Sequence, residues 1–278
     1  MVFVDDMDCG NPKCRRYIDG FIKPQSRYIC FNNGNPCPRP DDVCSLRRKK
    51  LLDNGMEVSD LRKLEKSALI NLNEWESLIE ENKKRHKRIQ RMARKAEKEG
   101  FYCKPFNYKL FIPDVVAVNH SKSHRQRGEM KGHYKQSVEE RGGYPDKYYE
   151  FEEPECKLHN VTMLGVFEKI EGHKQGEIET NERLVGYINF LRVGNIALYS
   201  QILGHGDYLN KGVMYLLHLF AVQRGIDEGV DHLMYTAWVS GTEGLQYWKR
   251  TNLFQPYELF FPPQKEGNID SLVLQEGP

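Results

Sequence analysis

Two apolar runs separated by Gly194-Asn195 give the chain its clearest pattern. Leu184–Val193 and Ile196–Leu203 are of strand length, and a glycine-asparagine pair between such runs predicts a tight hairpin. The loop Gly204-His205-Gly206-Asp207 follows. The apolar period then changes from 2 to 3.6, and Val213, Leu216, Leu217 and Phe220 fall on one face of a helix. A hairpin, a glycine-bearing loop and a helix in this order make a place where backbone N–H groups and a helix N-terminus meet an anion.

The flanking pattern extends this unit. Gly225 and Gly229 stop the helix, and Asp231–Trp238 reads as a buried strand. Ser240-Gly241-Thr242-Glu243-Gly244 is a turn into a short helix, Leu245–Arg250. Phe254–Phe261 is a last strand, ended by Pro262-Pro263. Upstream, His159–Lys169 alternates as a strand, and Glu171–Arg183 is a polar loop or hairpin. Residues 148–155 form a linker or edge. Tyr134–Arg141 is a short helix closed by Gly142-Gly143. From residue 159 the order is strand, strand, strand, helix, strand, helix, strand. The fold class is α/β (α+β): a mixed, mostly antiparallel sheet flanked by helices. The helical crossover makes Asp231–Trp238 parallel to the strand before it. A crevice is expected where the ladder changes direction.

Residues 59–99 read as helical, with Ser59 as N-cap and Asn73-x-x-Glu76 as a capping box dividing the segment. Leu61, Leu64, Ala68 and Leu72 form one stripe. Trp75, Ile79, Ile89, Met92 and Ala96 form a weaker one. The expected organisation is a cysteine-rich module over 1–50, a basic helical segment over 51–100, the α/β domain over 101–262 and a polar tail over 263–278.

Charge and cysteine usage add the candidate chemistry. Net charge is only +2, so a nucleic-acid surface has to come from local clustering. The densest cluster is Lys83–Arg88, with Arg91, Arg94 and Lys95 beyond it. Lys84, Arg85, Lys87 and Arg88 are the expected phosphate contacts, against the plainer reading of a solvated helix face. A second basic stretch runs from Asn119 to Arg127 and continues through Lys131, His133, Tyr134 and Lys135. No apolar run reaches the roughly 18–20 residues of a membrane span, and the acidic N-terminus is unlike a signal peptide. The expected setting is cytoplasmic, without a membrane partner. Five of seven cysteines, Cys9, Cys14, Cys30, Cys37 and Cys44, crowd the first 44 residues. With no secretory signal they are the expected ligands of Zn²⁺ or of an iron–sulfur cluster, against free reduced thiols.

The element order, with a glycine loop between a central strand and a long helix, resembles the GNAT (Gcn5-related N-acyltransferase) superfamily over about residues 105–262. In that family an Arg/Gln-x-x-Gly-x-Gly/Ala loop holds the pyrophosphate of acyl-CoA. Gln201-x-x-Gly204-x-Gly206 matches the letters. Asn210-Lys211-Gly212-Val213-Met214 matches the position before the helix, with Met214 where a second glycine belongs. Either way the acyl-CoA signature is degenerate. The segments FIPDVVAVNHSKSHRQRGEMKGHY, SQILGHGDYL and SGTEGLQYWKR are similar to a phage and bacterial branch that includes Mom-type DNA-modification proteins and amino-acid:DNA transferases. A second resemblance is to arginyl-tRNA–protein transferases, whose paired adjacent cysteines are absent here. These resemblances imply an enzyme that transfers an acyl or aminoacyl group to a nucleic-acid base. The donor would be acyl-CoA or aminoacyl-tRNA, and the partner a nucleic acid, DNA as acceptor or tRNA as donor. The rivals are an aminoacyl-tRNA–protein transferase, an acetyl-CoA-dependent N-acetyltransferase and a zinc-stabilised nucleic-acid-binding protein.

Acyl transfer needs a base for the acceptor's proton and donors for the oxyanion. His205, Asp207, Ser200 and Tyr247 are the catalytic candidates. Against these stand capping roles for His205 and Asp207 and aromatic packing for Tyr247. Gln201, Gly204, Gly206, Lys211 and Gly212 are the candidates for the donor. His120, Ser121, Lys122 and Arg125 are the candidates for the acceptor side. Ser240 and Thr242 are expected to face the same crevice, and His218 is expected in the core.

Overall fold

The computed structural model describes residues 2–3, 9, 11–14, 16–17, 66–125, 128–130, 132–257 and 259–260. Ser59, Leu61, Leu64, Cys30, Cys37, Cys44, Arg127, Lys131 and the tail lie outside the described residues. Seven strands form one sheet: β1 (Ser67–Asn71), β2 (Phe101–Phe106), β3 (His159–Lys169), β4 (Glu182–Val193), β5 (Ile196–Gly204), β6 (His232–Ala237) and β7 (Gln255–Tyr257). Their order across the sheet is β7-β1-β6-β5-β4-β3-β2. Only β5 and β6 run parallel; the other ladders are antiparallel. Among the described residues five helices flank the sheet: α1 (Trp75–Glu81), α2 (Lys83–Lys98), α3 (Ile112–His120), α4 (Val213–Asp227) and α5 (Glu243–Thr251). The meander, the crossover through α4 and the one parallel ladder within this sheet are those of the GNAT-like order expected from the sequence.

The hairpin β4–β5 turns at Gly194, whose φ of +57° suits the first central position of a type II′ turn. Its strands read as nearly continuous apolar runs because the sheet is covered on both faces. On one face Val185, Ile188, Phe190, Ala197 and Tyr199 pack with α2 and α4. On the other, Leu184, Tyr187 and Leu203 pack with Phe111, Val115 and Val118 around α3.

The segment expected to be a separate basic helix differs. Ser67–Asn71 is a buried strand lying between β6 and β7. Ala68, Leu69 and Ile70 are successive and all buried, which a strand covered on both faces accommodates and an amphipathic helix does not. Residues 67–98 are thus built into the sheet domain. Asn73-x-x-Glu76 forms no capping box: Glu74 caps α1 without a side-chain bond, and the break between helices falls at Asn82. Ile112–His120 is a helix, α3, with Pro113 in its first turn. Tyr134–Arg141 forms two short 3-10 turns instead of one helix.

Helix α2 buries Ile89, Ala93 and Ala96 against α4 and turns its cations outward. Two alanines at the contact allow a close approach, and Gly212 takes the remaining space. A Cβ there would stand 2.2 Å from the Met92 carbonyl oxygen. Among the described residues no helix is long and apolar enough to cross a membrane.

Candidate active-site cleft

The site begins with an irregularity in β5. Its pairing with β6 covers only Ile196 to Leu198, opposite His232 to Met234, while its pairing with β4 continues to Gly204. The sheet is therefore split beyond Leu198. At the same point the β4–β5 register shifts between Tyr199 and Gln201. A bulge re-aims side chains. Ser200 is exposed, its hydroxyl donating to the Asn189 carbonyl at 3.3 Å. Gln201 stands opposite Asn189, which stands opposite Met163 on β3. These three side chains form a cross-strand row on the α3 side of the sheet.

The row lies on the floor of an open cleft of about 600 Å³. Val161 completes the floor. Phe106 at the end of β2 and Asn107 and Tyr108 just after it, together with Arg141, Phe151 and Glu152, form the walls. Arg141 donates to the Tyr108 hydroxyl at 2.8 Å and to the His133 carbonyl. Two polar atoms of the lining residues, Arg141 Nε and Asn189 Oδ1, are buried without a protein partner. Gln201 Nε2 lies 3.0 Å from His133 Nε2, and the His133 ring stacks on Tyr134 at 3.9 Å between centroids. Partial burial, and then the Arg141 charge, lower the His133 pKa below its ordinary value. A neutral imidazole, a guanidinium and two carboxamides thus converge on one floor. The imidazole can take a proton from an amine, and the N–H donors can stabilise an oxyanion.

No family model and no curated protein matches the chain. Solved structures of similar fold include two synthetases. One is the C-terminal domain of a protein assigned as a lysylphosphatidylglycerol synthetase from Agrobacterium fabrum, at 11% identity and TM-score 0.41. The other is L-PGS from Bacillus licheniformis, at 12% identity and TM-score 0.41. Each likeness covers 69% of this chain and 57% of the other, so the chain spans little more than half the neighbours' length. A likeness this distant assigns no reaction.

Of the catalytic candidates from sequence, Ser200 sits beside the cleft floor and His205 lies past the end of β5. His205 is the N-cap of a 3-10 turn over Gly206–Lys211, its Nδ1 accepting from the Asp207 N–H at 3.4 Å. Burial lowers its pKa, opposed by Asp207. The Asp207 side chain is 85% exposed, 3.8 Å from the His205 ring, and caps no helix. Tyr247 does not line the cleft. It sits on α5 with its hydroxyl accepting from Arg88, whose guanidinium lies 5.5 Å over its ring. The Ser240 turn is organised by Lys249, fully buried, whose ammonium donates to the carbonyls of Ala237, Trp238 and Ser240 at 2.6, 3.0 and 2.8 Å. Thr242 caps α5.

The loop glycines expected to cradle a pyrophosphate are accounted for by packing. A Cβ on Gly204 would meet Met214 Sδ at 2.5 Å, so the methionine fills the space the glycine leaves. A Cβ on Gly206 would meet Lys122 at 3.0 Å, and its N–H donates to Ser121 Oγ at 2.9 Å. Gly212 precedes α4 directly, with φ +89° and α2 against it. Helix α4 therefore starts at Val213, separated from Gly204 by a whole 3-10 segment that Gly206 opens. Lys211 pairs with Glu99 at 3.6 Å and lies over the rings of Phe101 and Tyr208.

The acceptor candidates meet this loop. Arg125 donates to the carbonyls of Gly204 at 2.9 Å and Val118 at 2.6 Å and to Ser121 Oγ at 3.0 Å. Its two terminal nitrogens are engaged within the protein, its Nε is buried without a protein partner, and burial lowers its pKa. His120 and Lys122 are exposed at the end of α3. On α2, Lys84 and Lys87 are exposed, Arg85 donates to Asn82 Oδ1 at 3.2 Å, and Arg88 reaches Tyr247.

Sequence reasoning missed Arg141, Asn189 and Tyr108, and named His133 only within a basic cluster. Cross-strand register aligns Asn189 with Gln201, and no local pattern carries that information.

Proposed function

We propose that the protein is an acyl- or aminoacyl-group transferase whose reaction takes place over Gln201, with a nucleic-acid base as acceptor. The observation that carries this reading is the His133–Gln201 contact beside the unpartnered Asn189 Oδ1 and Arg141 Nε. An acceptor amine satisfies the asparagine oxygen, and a carbonyl gaining negative charge satisfies guanidinium and carboxamide N–H groups. His133 takes the amine's proton as the new C–N bond forms, the acyl–oxygen or acyl–sulfur bond to the donor breaks, and the proton passes to that leaving oxygen or sulfur. The filled spaces at Gly204 and Gly212 favour a donor other than acyl-CoA, and aminoacyl-tRNA is the alternative of matching chemistry.

The test is nucleoside mass spectrometry of DNA from cells expressing the protein, with the donor supplied. A mass increment on one base is expected, falling about 100-fold in His133→Ala and in Gln201→Ala. DNA without any increment would refute the DNA-acceptor reading. Transfer from charged tRNA to protein instead would make the chain an aminoacyl-tRNA–protein transferase, and transfer from acetyl-CoA an N-acetyltransferase.

The exposed cations of α2 favour a nucleic-acid contact in its own right. They lie on the sheet face opposite the cleft, so this contact is separate from that of the base entering the cleft. Changing Lys84, Arg85, Lys87 and Arg88 together to alanine should reduce the salt dependence of DNA binding. The slope of log K against log salt should drop by about 4 if all four touch phosphates. An unchanged slope would remove α2 from the interface.

A further inference from the structure

Two short turns far apart in sequence face each other at one end of the sheet. One carries Cys9 and Cys14. The other carries Cys156 and His159, the first residue of β3. One ligand atom from each of the four lies within 4.8 Å of all the others. Cys14 and His159 are buried, at 3% and 1% exposure, and Cys9 and Cys156 are half-buried. Zn–S bonds of about 2.3 Å and Zn–N bonds of about 2.0–2.1 Å put tetrahedral ligand atoms roughly 3.5–3.8 Å apart. Cys156 Sγ and His159 Nδ1 are 3.8 Å apart.

Both turns are held by their own backbone. The Cys14 N–H donates to the Asn11 carbonyl at 2.9 Å, and Lys13 N–H to Asn11 Oδ1 at 3.0 Å. Asn160 Nδ2 donates to the carbonyls of Cys156 and Lys157 at 3.0 and 3.3 Å. The N–H groups of Leu158 and His159 point at the Cys156 sulfur, an arrangement that supports a metal-bound thiolate. Buried Arg192 stands opposite Asn160 in the neighbouring strand and interacts with Cys156. Three thiolates on one Zn²⁺ leave a net charge of −1, which a nearby guanidinium offsets.

We propose that Cys9, Cys14, Cys156 and His159 form a closed, structural Cys₃His zinc site. It clasps the N-terminal segment to the start of β3, the strand that supplies Val161 and Met163 to the cleft floor. Four protein ligands leave no open position, so the metal stabilises the fold and takes no part in group transfer. Cys103 is outside the site. The ligand set differs from the one expected from sequence, because Cys156 and His159 join the early cysteines only through the fold.

The test is metal analysis of the full-length protein with differential alkylation of its thiols. One zinc per chain is expected. Cys9, Cys14 and Cys156 should resist iodoacetamide until a chelator is added, and the Tm should fall on chelation. Cys156→Ser and His159→Ala should lose the zinc, while Cys103→Ser and a combined Cys30→Ser/Cys37→Ser/Cys44→Ser variant keep it. The wild-type alkylation pattern decides the matter even if a ligand variant fails to fold. The proposal is overturned by protein without metal, by a disulfide among the three cysteines, by an iron–sulfur cluster, or by zinc lost from the combined variant and kept in Cys156→Ser.

Discussion

Gly212→Ala should destabilise the protein by about 3 kcal/mol or more. Two costs add. The residue has φ +89°, which an L side chain adopts at about 1–2 kcal/mol. The new methyl would also stand 2.2 Å from the Met92 carbonyl oxygen and 2.9 Å from its carbon, both backbone atoms of α2. Helix α2 has to move, and overpacking of that kind costs about 1–3 kcal/mol. Gly229→Ala is the control. It has φ +69° and open space around the added carbon, so it carries the conformational cost alone, about 1 kcal/mol. Urea denaturation of both variants checks this. A Gly212→Ala protein no less stable than Gly229→Ala would show that α2 does not pack on the start of α4. The variant also bears on function, because a displaced α2 carries its basic face with it.

Acid should weaken the fold through His218, and the loss should vanish in His218→Gln. The imidazole is fully buried on α4, 3.1 Å from the Tyr199 hydroxyl and against the rings of Trp248 and Phe254. Burial pushes its pKa down to about 3. The unfolded chain holds this histidine at about 6.5. Below that pH the unfolded state binds a proton that the folded state refuses, so the stability present above pH 6.5 is lost as pH falls toward 3. At 1.36 kcal/mol per unit, the loss is about 2 kcal/mol between pH 6.5 and 5 and about 5 kcal/mol by pH 3. Unfolding free energies of wild type and His218→Gln at pH 7 and pH 5 separate this contribution from the carboxylates, since glutamine keeps a partner for Tyr199. Equal acid sensitivity in the two proteins would mean that His218 is not held neutral.

The elements of the central sheet were legible because local chemistry and global placement agree there. Gly194 between two apolar runs makes the β4–β5 hairpin, and the change of period at Val213 makes α4. Ser67–Asn71 was misread because Leu61, Leu64, Ala68 and Leu72 satisfy a helical stripe. What makes it a strand is pairing with β6 and β7, on partners more than 160 residues away. The loop glycines were legible as special positions, but their reason was not. A missing side chain serves a phosphate or a neighbour equally well on paper, and here Met214, Lys122 and Met92 occupy the spaces.

By itself the sequence determined the mixed α/β sheet, the crossover that makes β6 parallel to β5, and the basic face of α2. These follow from period, turn residues and charge, which act over a few residues. Only the tertiary structure decided which side chains share a site. Register across β3, β4 and β5 brings Met163, Asn189 and Gln201 into one row, the fold sets His133 and Arg141 beside it, and the packing of two turns joins Cys9 and Cys14 to Cys156 and His159. Such meetings depend on contacts between distant segments, and no local signal encodes them.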